Sequence, residues 1–462
     1  MGISEFIVQK LGMPVAERVK GWPVAKYWHD LEESQWWSPE QLREMQNEKL
    51  RSIVKHAYET VHYYRETFDA QGLRPDDIRT VEDLSKIPLL SKDTIKANYP
   101  DRMASNRFSS DGVIECKSSG STGAPVKFHT SLEEKGFMWG LLFRMWGWTG
   151  WQPGMKYVNF TICEEVAFKK YPVLRSIETS LTRVITFDPR RMDSESISRF
   201  AREVLASKPY MLRGHPSTCY HLARYMREHD MKFDLKAVIC MGETLYPFIR
   251  ETVEERFGCG IHDNYGCEGM SALAQCSPTS KLHVSSETVI TEIVDDDGNT
   301  VPSGKEGRLV VTSLGKFAMP LLRYDTQDVA TMTDELCPCG RGLPLVSGLK
   351  GRVVDMSYTP SGKLIAVYMF TPLLGALADE IDNWQVVHES PTELVINVVP
   401  RGDLNVATEQ HIVNGARGYL GDEIEIRVEK VDAIPLTPSG KRRFFVSKCS
   451  PGLQPRDMSG LV

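Results

Sequence analysis

The spacing of apolar residues predicts a helical beginning of the chain. Residues 39–54 place apolar side chains at helical intervals between charged ones. Ser38 followed by Pro39 is a typical helix start, because serine caps the free N–H groups and proline fits the first helical position. We therefore expect residues 1–100 to form a helical lead-in.

The pattern changes from about residue 113 onwards, where short β-like runs alternate with helical stretches. The β-like runs span 184–187, 237–241 and 288–293, and the helical stretches span 194–206 and 216–228. Alternation of this kind favours an α/β body. We assign residues 1–350 to a large N-terminal α/β domain.

A β-rich stretch from about residue 295 leads into a separate C-terminal domain. A turn at 295–299 precedes a strand at 307–312, and a domain boundary is predicted near 351–356. Beyond the boundary, strands at 394–399 and 423–428 flank a helix at 406–419. Residues 351–462 should therefore form a small α+β C-terminal domain.

Composition narrows the class of protein. The chain has 462 residues, 41% of them hydrophobic, and a net charge of −6, which argues against a nucleic-acid partner bound through a broad basic face. No run of about 18 apolar residues predicts a membrane span, and charges scattered through the first 20 residues argue against a signal peptide. Ten dispersed cysteines are typical of reduced thiols, so a cytoplasmic location is expected.

Residues 118–127 form the most informative segment. The residues proposed to contact phosphate are Ser118, Ser119, Gly120, Ser121, Thr122, Gly123 and Lys127. Glycine lets the backbone N–H groups approach phosphate oxygens closely, and the lysine adds a point charge. The spacing differs from that of a P-loop, and on composition alone an ordinary surface loop is the alternative.

Five further segments follow in a fixed order, at 241–245, 265–268, 323–328, 351–355 and 434–441. Together with the loop they resemble the adenylate-forming superfamily of acyl-CoA synthetases, adenylation domains and luciferases, in particular its phenylacetate–CoA ligase branch. The resemblance covers nearly the whole chain. It implies a C-terminal domain that rotates about a hinge at 351–355.

The resemblance also implies a role for single residues. Asp328 would bind the ribose hydroxyls, Glu268 would hold Mg²⁺ against the triphosphate, and Tyr265 would stack on adenine. Lys441 would pair with the substrate carboxylate and the α-phosphate during catalysis, and Arg352 would contact ribose or phosphate near the hinge. The other residues assigned to nucleotide binding are Gly242, Glu243, Asn264 and Gly266. For each side chain an ordinary structural role is the alternative.

Two departures from the family pattern affect these assignments. Glu268 follows Tyr265 by three positions instead of four, so Asn264 is an alternative occupant of the tyrosine position. The segment after Asp355 is closer to the branch that acts in capsular-polysaccharide biosynthesis. Adenylation is therefore better supported than transfer to CoA, and an amine, a hydroxyl or another nucleophile is the alternative acceptor.

Aromatic side chains predict the acyl pocket. The candidate lining residues are Trp139, Phe143, Tyr157, Phe160, His215 and Pro216. Such a set favours an aryl or arylalkyl acid over a long fatty acid, although an aromatic stripe at helical spacing is more often core than pocket.

A second candidate site consists of Cys276, His283, Cys337 and Cys339. Three cysteines and one histidine are a standard structural zinc set, although the C-x-C spacing is tighter than usual and free thiols on a turn are the alternative. A zinc ion here would be structural and would not take part in catalysis.

Together these observations predict an ATP- and Mg²⁺-dependent, AMP-forming ligase. It would activate a small carboxylic acid to an acyl-adenylate, release pyrophosphate, and pass the acyl group to an acceptor, by resemblance CoA. A non-CoA acceptor and a nucleotide-binding homologue without turnover are the alternatives. The resemblance also implies a homodimer. The cysteine and histidine set predicts a structural Zn²⁺, and the net charge and the lack of a long apolar run predict no nucleic-acid or membrane partner.

Overall fold

The structure is a computed structural model that describes 2–117, 126–160, 183–188, 194–276, 281–350, 356–361, 364–366, 370, 373–377, 379–435 and 443–449. It divides into two compact units. The first contains Met1–Leu245 and Val253–Lys350, and the second contains Tyr246–Thr252 and Gly351–Val462.

The first hundred residues are mainly helical, as their pattern predicts. The helices are α1 (Ile3–Ile7), a π-helical turn (Val8–Gly12), α2 (Met13–Lys20), α3 (Val24–Ser34), α4 (Pro39–Thr60), α5 (His62–Ala70) and α6 (Lys92–Asn98). Helix α4 begins as expected: the Gln41 N–H donates to Ser38 Oγ at 3.3 Å, and the Ser38 N–H donates to Gln41 Oε1 at 2.9 Å. This reciprocal cap satisfies N–H groups that have no partner inside the helix.

The rest of the first unit follows the predicted α/β pattern. Its remaining helices are α7 (Leu132–Gly147), α8 (Ser194–Ser207), α9 (Pro216–Glu228) and α10 (Pro247–Phe257), of which α10 is shared with the second unit. Strands β1 (Val113–Lys117) and β2 (Lys127–Ser131) form an antiparallel hairpin. Among the described residues, no helix combines the length and apolar character needed to cross a bilayer.

An eleven-stranded sheet organises this unit. Its strands are β3 (Tyr157–Phe160), β4 (Val184–Phe187), β5 (Met211–Gly214), β6 (Ala237–Met241), β7 (Ile261–Cys267), β8 (Met270–Gln275), β9 (Leu282–Val284), β10 (Val289–Val294), β11 (Glu306–Ser313), β12 (Tyr324–Thr333) and β13 (Leu345–Lys350). The order across the sheet is β10-β11-β12-β13-β9-β8-β7-β6-β5-β3-β4. The half from β4 to β7 is parallel, and the remaining pairs are antiparallel. The direction therefore changes at the tight connection between β7 and β8.

The second unit is a small α+β body. A two-stranded sheet pairs β14 (Met356–Tyr358) with β15 (Leu364–Ala366). The strands β16 (Ile381–Ser390), β17 (Glu393–Pro400), β18 (Glu425–Lys430) and β19 (Phe445–Ser447) form a sheet ordered β18-β17-β16-β19. Helix α11 (Val406–Leu420) connects the parallel strands β17 and β18, as a crossover between parallel strands requires.

Candidate functional site

The carboxyl ends of β5, β6 and β7 lie at one edge of the parallel half-sheet, the usual ligand edge of such sheets. The predicted Gly-Glu segment follows β6, where Gly242 has a φ of +76°, a conformation that favours glycine. The Glu243 carboxylate accepts hydrogen bonds from the Ser217 N–H at 2.9 Å and from Ser217 Oγ at 3.0 Å. These bonds tie the segment to the first turn of α9.

The turn between β7 and β8 carries the proposed magnesium ligand. Glu268 and Gly269 form a two-residue connection with φ angles of +40° and +77°. Positive φ is uncommon for glutamate, and such backbone strain often persists where function requires it. Glu268 is only 5% exposed, so the strained turn holds a carboxylate in a sheltered position.

Asp328 and Tyr265 are brought together as a pair. Tyr265 Oη donates to Asp328 Oδ2 at 2.5 Å, and Asp328 is buried. Burial, reinforced by the Asp328 charge, raises the pKa of Tyr265 well above its usual value, so the phenol stays protonated. Tyr265 can therefore act as a permanent donor that orients the Asp328 carboxylate.

The rest of the Arg-Tyr-x-Thr-x-Asp segment anchors Asp328 in place. Arg323 Nη2 lies 3.0 Å from the buried Glu292 Oε1, and Arg323 Nη1 donates to the Ile87 carbonyl at 2.8 Å. Thr326 Oγ1 donates to the Leu309 carbonyl at 2.8 Å. These contacts join the start of β12 to β10, to β11 and to the helical lead-in.

The two alternatives for the tyrosine position have different surroundings. Asn264 and Tyr265 are adjacent in β7 and point to opposite faces of the sheet. Asn264 Nδ2 lies 4.0 Å from Met145 Sδ in α7, whereas Tyr265 reaches Asp328. The register with β8 shifts after Tyr265, so a bulge accompanies the spacing of three residues.

Lys316 is a buried charged residue near the site that the sequence analysis did not predict. It is 6% exposed, and its Nζ lies 4.5 Å from the centre of the Phe128 ring. Burial lowers the pKa of Lys316, while the carboxylates of Glu134 and Glu268 act in the opposite direction. A lysine within an otherwise small and apolar segment, 313–322, was the available signal.

The predicted acyl-pocket residues fall into two groups. Trp139, Phe143 and His215 are half-buried, whereas Tyr157, Phe160 and Pro216 are buried. Phe160 packs against Phe187 and Phe200 of α8, with ring centres 5.7 and 5.4 Å apart. Tyr157 instead contacts Trp146 of α7 at 5.5 Å. Because side chains alternate along β3, Phe160 lies on the opposite face of the sheet from Tyr157.

The four candidate zinc ligands meet in one cluster. The ligand atoms of Cys276, His283, Cys337 and Cys339 all lie within 4.8 Å of one another. His283 Nδ1 is 3.2 Å from the Leu343 carbonyl, which can only accept, so this nitrogen carries the proton and Nε2 faces Cys339 Sγ at 3.3 Å. Burial lowers the pKa of His283 to about 4, which keeps the imidazole in the neutral form that binds metals.

Several predicted residues lie outside the described part of the chain. They are Ser118, Ser119, Gly120, Ser121, Thr122, Gly123, Arg352 and Lys441. Lys127 is described: it opens β2, and its Nζ lies 3.1 Å from Glu115 Oε1. Gly266 is also described, within β7.

The fold defines the class of protein first. A solved 2-hydroxyisobutyryl-CoA ligase in the postadenylation state, in complex with 2-HIB-AMP, superimposes with a TM-score of 0.69 over 87% of this chain and 88% of that chain, at 20% identity. An anthranilate CoA ligase in complex with anthranoyl-AMP superimposes with a TM-score of 0.52 over 73% of this chain and 66% of that chain, at 16% identity. The chain thus has the fold of these adenylate-binding ligases.

Sequence comparison identifies individual proteins that are similar to this chain. A phenylacetate-coenzyme A ligase of Thermus thermophilus is 28% identical over 75% of this chain and 78% of its own length. Protein CapK of Staphylococcus aureus is 22% identical over 88% of this chain and 89% of its own length. Residues 357–448 match the family model "CapK C-terminal domain". These matches confirm the resemblance to phenylacetate–CoA ligases within the adenylate-forming superfamily, with a C-terminal part similar to CapK.

Proposed function

We propose that this protein is an AMP-forming ligase that uses ATP and Mg²⁺ to convert a carboxylic acid, of aryl or arylalkyl type, into an acyl-adenylate, and then transfers the acyl group to CoA. The main support is the meeting of Tyr265 with Asp328 beside the strained Glu268 turn, in a fold shared with ligases solved with acyl-adenylates. Chemistry of this kind depends on positioning and on neutralising charge.

Each described residue has a defined task in this proposal. Asp328, oriented by Tyr265, accepts hydrogen bonds from the two ribose hydroxyls. Glu268 supplies a hard oxygen ligand to Mg²⁺, which prefers one or two carboxylates together with phosphate oxygens. Lys316, buried beside this carboxylate, adds positive charge towards the triphosphate.

The two halves of the chain carry different parts of the reaction. Residues 1–350 form the nucleotide- and acid-binding domain, with the phosphate contacts of 118–127. Residues 351–462 form a mobile domain in which Lys441 serves adenylation and Arg352 lies at the hinge. The same family resemblance supports a homodimer, and the dispersed cysteines support a cytoplasmic location.

An acceptor other than CoA is the second candidate, and one specific observation favours it. The C-terminal part, which would face the acceptor in the second half-reaction, matches a family described by CapK. An amine or a hydroxyl group would then displace AMP in place of a thiol. A nucleotide-binding homologue without turnover is a weaker alternative, because Glu268 and Asp328 are both retained and buried.

The Cys276–His283–Cys337–Cys339 cluster is proposed to bind one structural Zn²⁺. The donor set fits the metal: three thiols and one neutral imidazole are enclosed, and the imidazole is oriented by a backbone carbonyl. A bound ion would stabilise the fold and take no part in the chemistry.

The deciding experiment is acid-dependent exchange of radiolabelled pyrophosphate into ATP, run across aryl, arylalkyl, fatty and amino acids. Exchange with one acid class that is lost in Lys441→Ala is expected. Lys448→Ala is the matched control, because this exposed lysine of the same domain pairs with Glu389 at 2.7 Å and has no assigned role. Adding CoA, hydroxylamine or amines to the active acid then identifies the acceptor. ATP binding without exchange for any acid would refute the ligase proposal.

A further inference from the structure

A short polar row lies on the face of the parallel half-sheet that packs against α7: Asn159 of β3 pairs with Arg213 of β5. On β6, Arg213 pairs with the apolar Ile239, two residues before Met241. Tyr157 and Met211, the preceding residues of this face, belong to one buried cluster with Ile239 and Trp146. The row thus lies beside an apolar layer, near the carboxyl ends of β3 and β5.

Arg213 is the cation of this row, and its contacts are few. Its Nη1 donates to Asn159 Oδ1 at 2.9 Å, and its Nη2 lies 2.8 Å from Met241 Sδ, a weak acceptor. The guanidinium carbon is 5.4 Å from the centre of the Trp146 ring. Nε is buried and has no hydrogen-bond acceptor. Within the described residues, Arg213 has no carboxylate at ion-pair distance.

This arrangement leaves the charge of Arg213 incompletely compensated. A guanidinium has five N–H donors, and two contacts are made here, one of them to sulfur. Burying a charge without a counter-ion is unfavourable, and burial lowers the pKa of Arg213. Arg213, Asn159 and Met241 are nevertheless half-buried, while Trp146 beneath them is fully buried. Part of the Arg213 side chain is therefore exposed, near the carboxyl end of β5, so a ligand can reach it.

We infer that Arg213 and Asn159 form an anion subsite in the acyl pocket, and that the acid activated here is an aromatic or arylalkyl dicarboxylic acid whose second carboxylate binds Arg213. This inference rests on the proposed ligase function and adds the substrate class. A carboxylate matches the planar fork of a guanidinium with two parallel hydrogen bonds. Trp146 and Met241 provide an apolar wall for the part of the acid that carries the two groups.

The subsite is separate from the reacting centre. Strand β5 lies two strands from β7 in the sheet, which corresponds to about 10 Å. The nucleotide residues Tyr265 and Glu268 belong to β7 and its turn, so the carboxylate that attacks ATP has to lie at that side. A second acidic group at the far end of an aromatic acid would then meet Arg213.

The test compares matched acids in the pyrophosphate-exchange assay: phenylacetate with 4-carboxyphenylacetate, and benzoate with terephthalate. The wild type should favour the diacid of each pair by at least about 100-fold in kcat/KM, because a site built to bind a polar group discriminates strongly against analogues that lack it. Arg213→Met should abolish this ratio. The exposed Arg227 of α9 provides the control, and Arg227→Met should leave the ratio unchanged.

A second variant, Asn159→Asp, keeps the test informative if Arg213→Met fails to fold. It places a carboxylate beside the guanidinium, 2.9 Å from Nη1 in the present geometry, and should lower diacid use while keeping or raising the melting temperature. Equal use of the two acids by the wild type, or an equal loss for both acids in these variants, would overturn the inference.

Failure of the ligase proposal itself would have a different signature. If no acid supports exchange, calorimetric titration of the same acid pairs decides about the subsite. Tight binding of the diacids that depends on Arg213 would retain an anion site in a protein without ligase activity. No difference between diacid and monoacid binding would remove the subsite as well.

Discussion

Replacing one thiol of the metal cluster tests the zinc proposal most directly. In the structure, Cys276 Sγ lies 3.4 Å from Cys337 Sγ, and Cys339 Sγ lies 3.3 Å from His283 Nε2. A tetrahedral Zn²⁺ with Zn–S bonds of about 2.3 Å separates two sulfurs by about 3.8 Å and a sulfur from a nitrogen by about 3.6 Å. These two pairs therefore need to separate by only a few tenths of an ångström, and since no pair of ligand atoms exceeds 4.8 Å, the remaining pairs need to approach by about 1 Å at most.

Cys276→Ser should abolish zinc binding, because Cys276 is buried inside the cluster, at 1% exposure, and a serine hydroxyl does not replace a thiolate as a zinc ligand. At free zinc about 1,000-fold above Kd, the bound ion contributes about 4 kcal/mol to the free energy of unfolding. For a unit of this size, that loss should lower the melting temperature by roughly 5–10 °C. Cys259→Ser is the matched control, because Cys259 lies in the same unit outside the cluster.

The assays are elemental analysis of the purified protein and thermal unfolding with and without a strong zinc chelator. The wild type and Cys259→Ser should each contain about one zinc per chain. Their melting temperatures should fall when the chelator is added, because a ligand that binds the native state stabilises it. Cys276→Ser should contain none and should not respond to the chelator. A wild type that contains no zinc and has the same melting temperature with and without the chelator would refute the zinc proposal.

Three further substitutions follow from the geometry. Tyr265→Phe removes the donor at 2.5 Å from Asp328 and should raise KM for ATP by roughly 10- to 100-fold with little change in kcat; an unchanged KM in the exchange assay would contradict the orienting role. Lys316→Met should lower the exchange rate by about 100-fold yet raise the melting temperature, because it removes a buried ammonium group. Loss of both activity and stability would instead indicate a structural lysine. Arg144→Met leaves Glu287 buried without the partner now at 2.7 Å and should cost about 3–5 kcal/mol in urea unfolding. The double variant with Glu287→Gln should recover much of that loss, and equal stability of the single variant and the wild type would contradict the prediction.

The sequence predicted elements well where periodicity alone determines them. Helix α4 begins at Pro39 with the expected Ser38 cap, and α11 covers the predicted 406–419 with one further residue. Both have apolar residues at a period that one element type satisfies. The α/β class follows from the same patterns and is confirmed by the mixed sheet.

Side-chain direction within the site could not be predicted in the same way. Counting motif positions left Asn264 and Tyr265 as alternatives, because a bulge in the β7–β8 pair changes the register without leaving a signal in the motif. Phe160 was grouped with Tyr157 by residue type, although alternation in a short strand places them on opposite faces. Arg213 was missed for a related reason: a single arginine in an apolar strand gives no indication that none of the described residues supplies its counter-ion.

The sheet order gives the metal cluster a consequence beyond stability. Cys276 follows β8, His283 lies in β9, and Cys337 and Cys339 lie between β12 and β13, while the order across this region is β12-β13-β9-β8-β7. The cluster therefore ties together the strands that separate β12, which carries Asp328, from β7, which carries Tyr265. The hydrogen bond between those two side chains requires the separation of these strands to be maintained within a few tenths of an ångström. A zinc ion bound here would therefore couple metal binding to nucleotide binding through the same five strands, because it would fix the distance across which Tyr265 is proposed to orient Asp328.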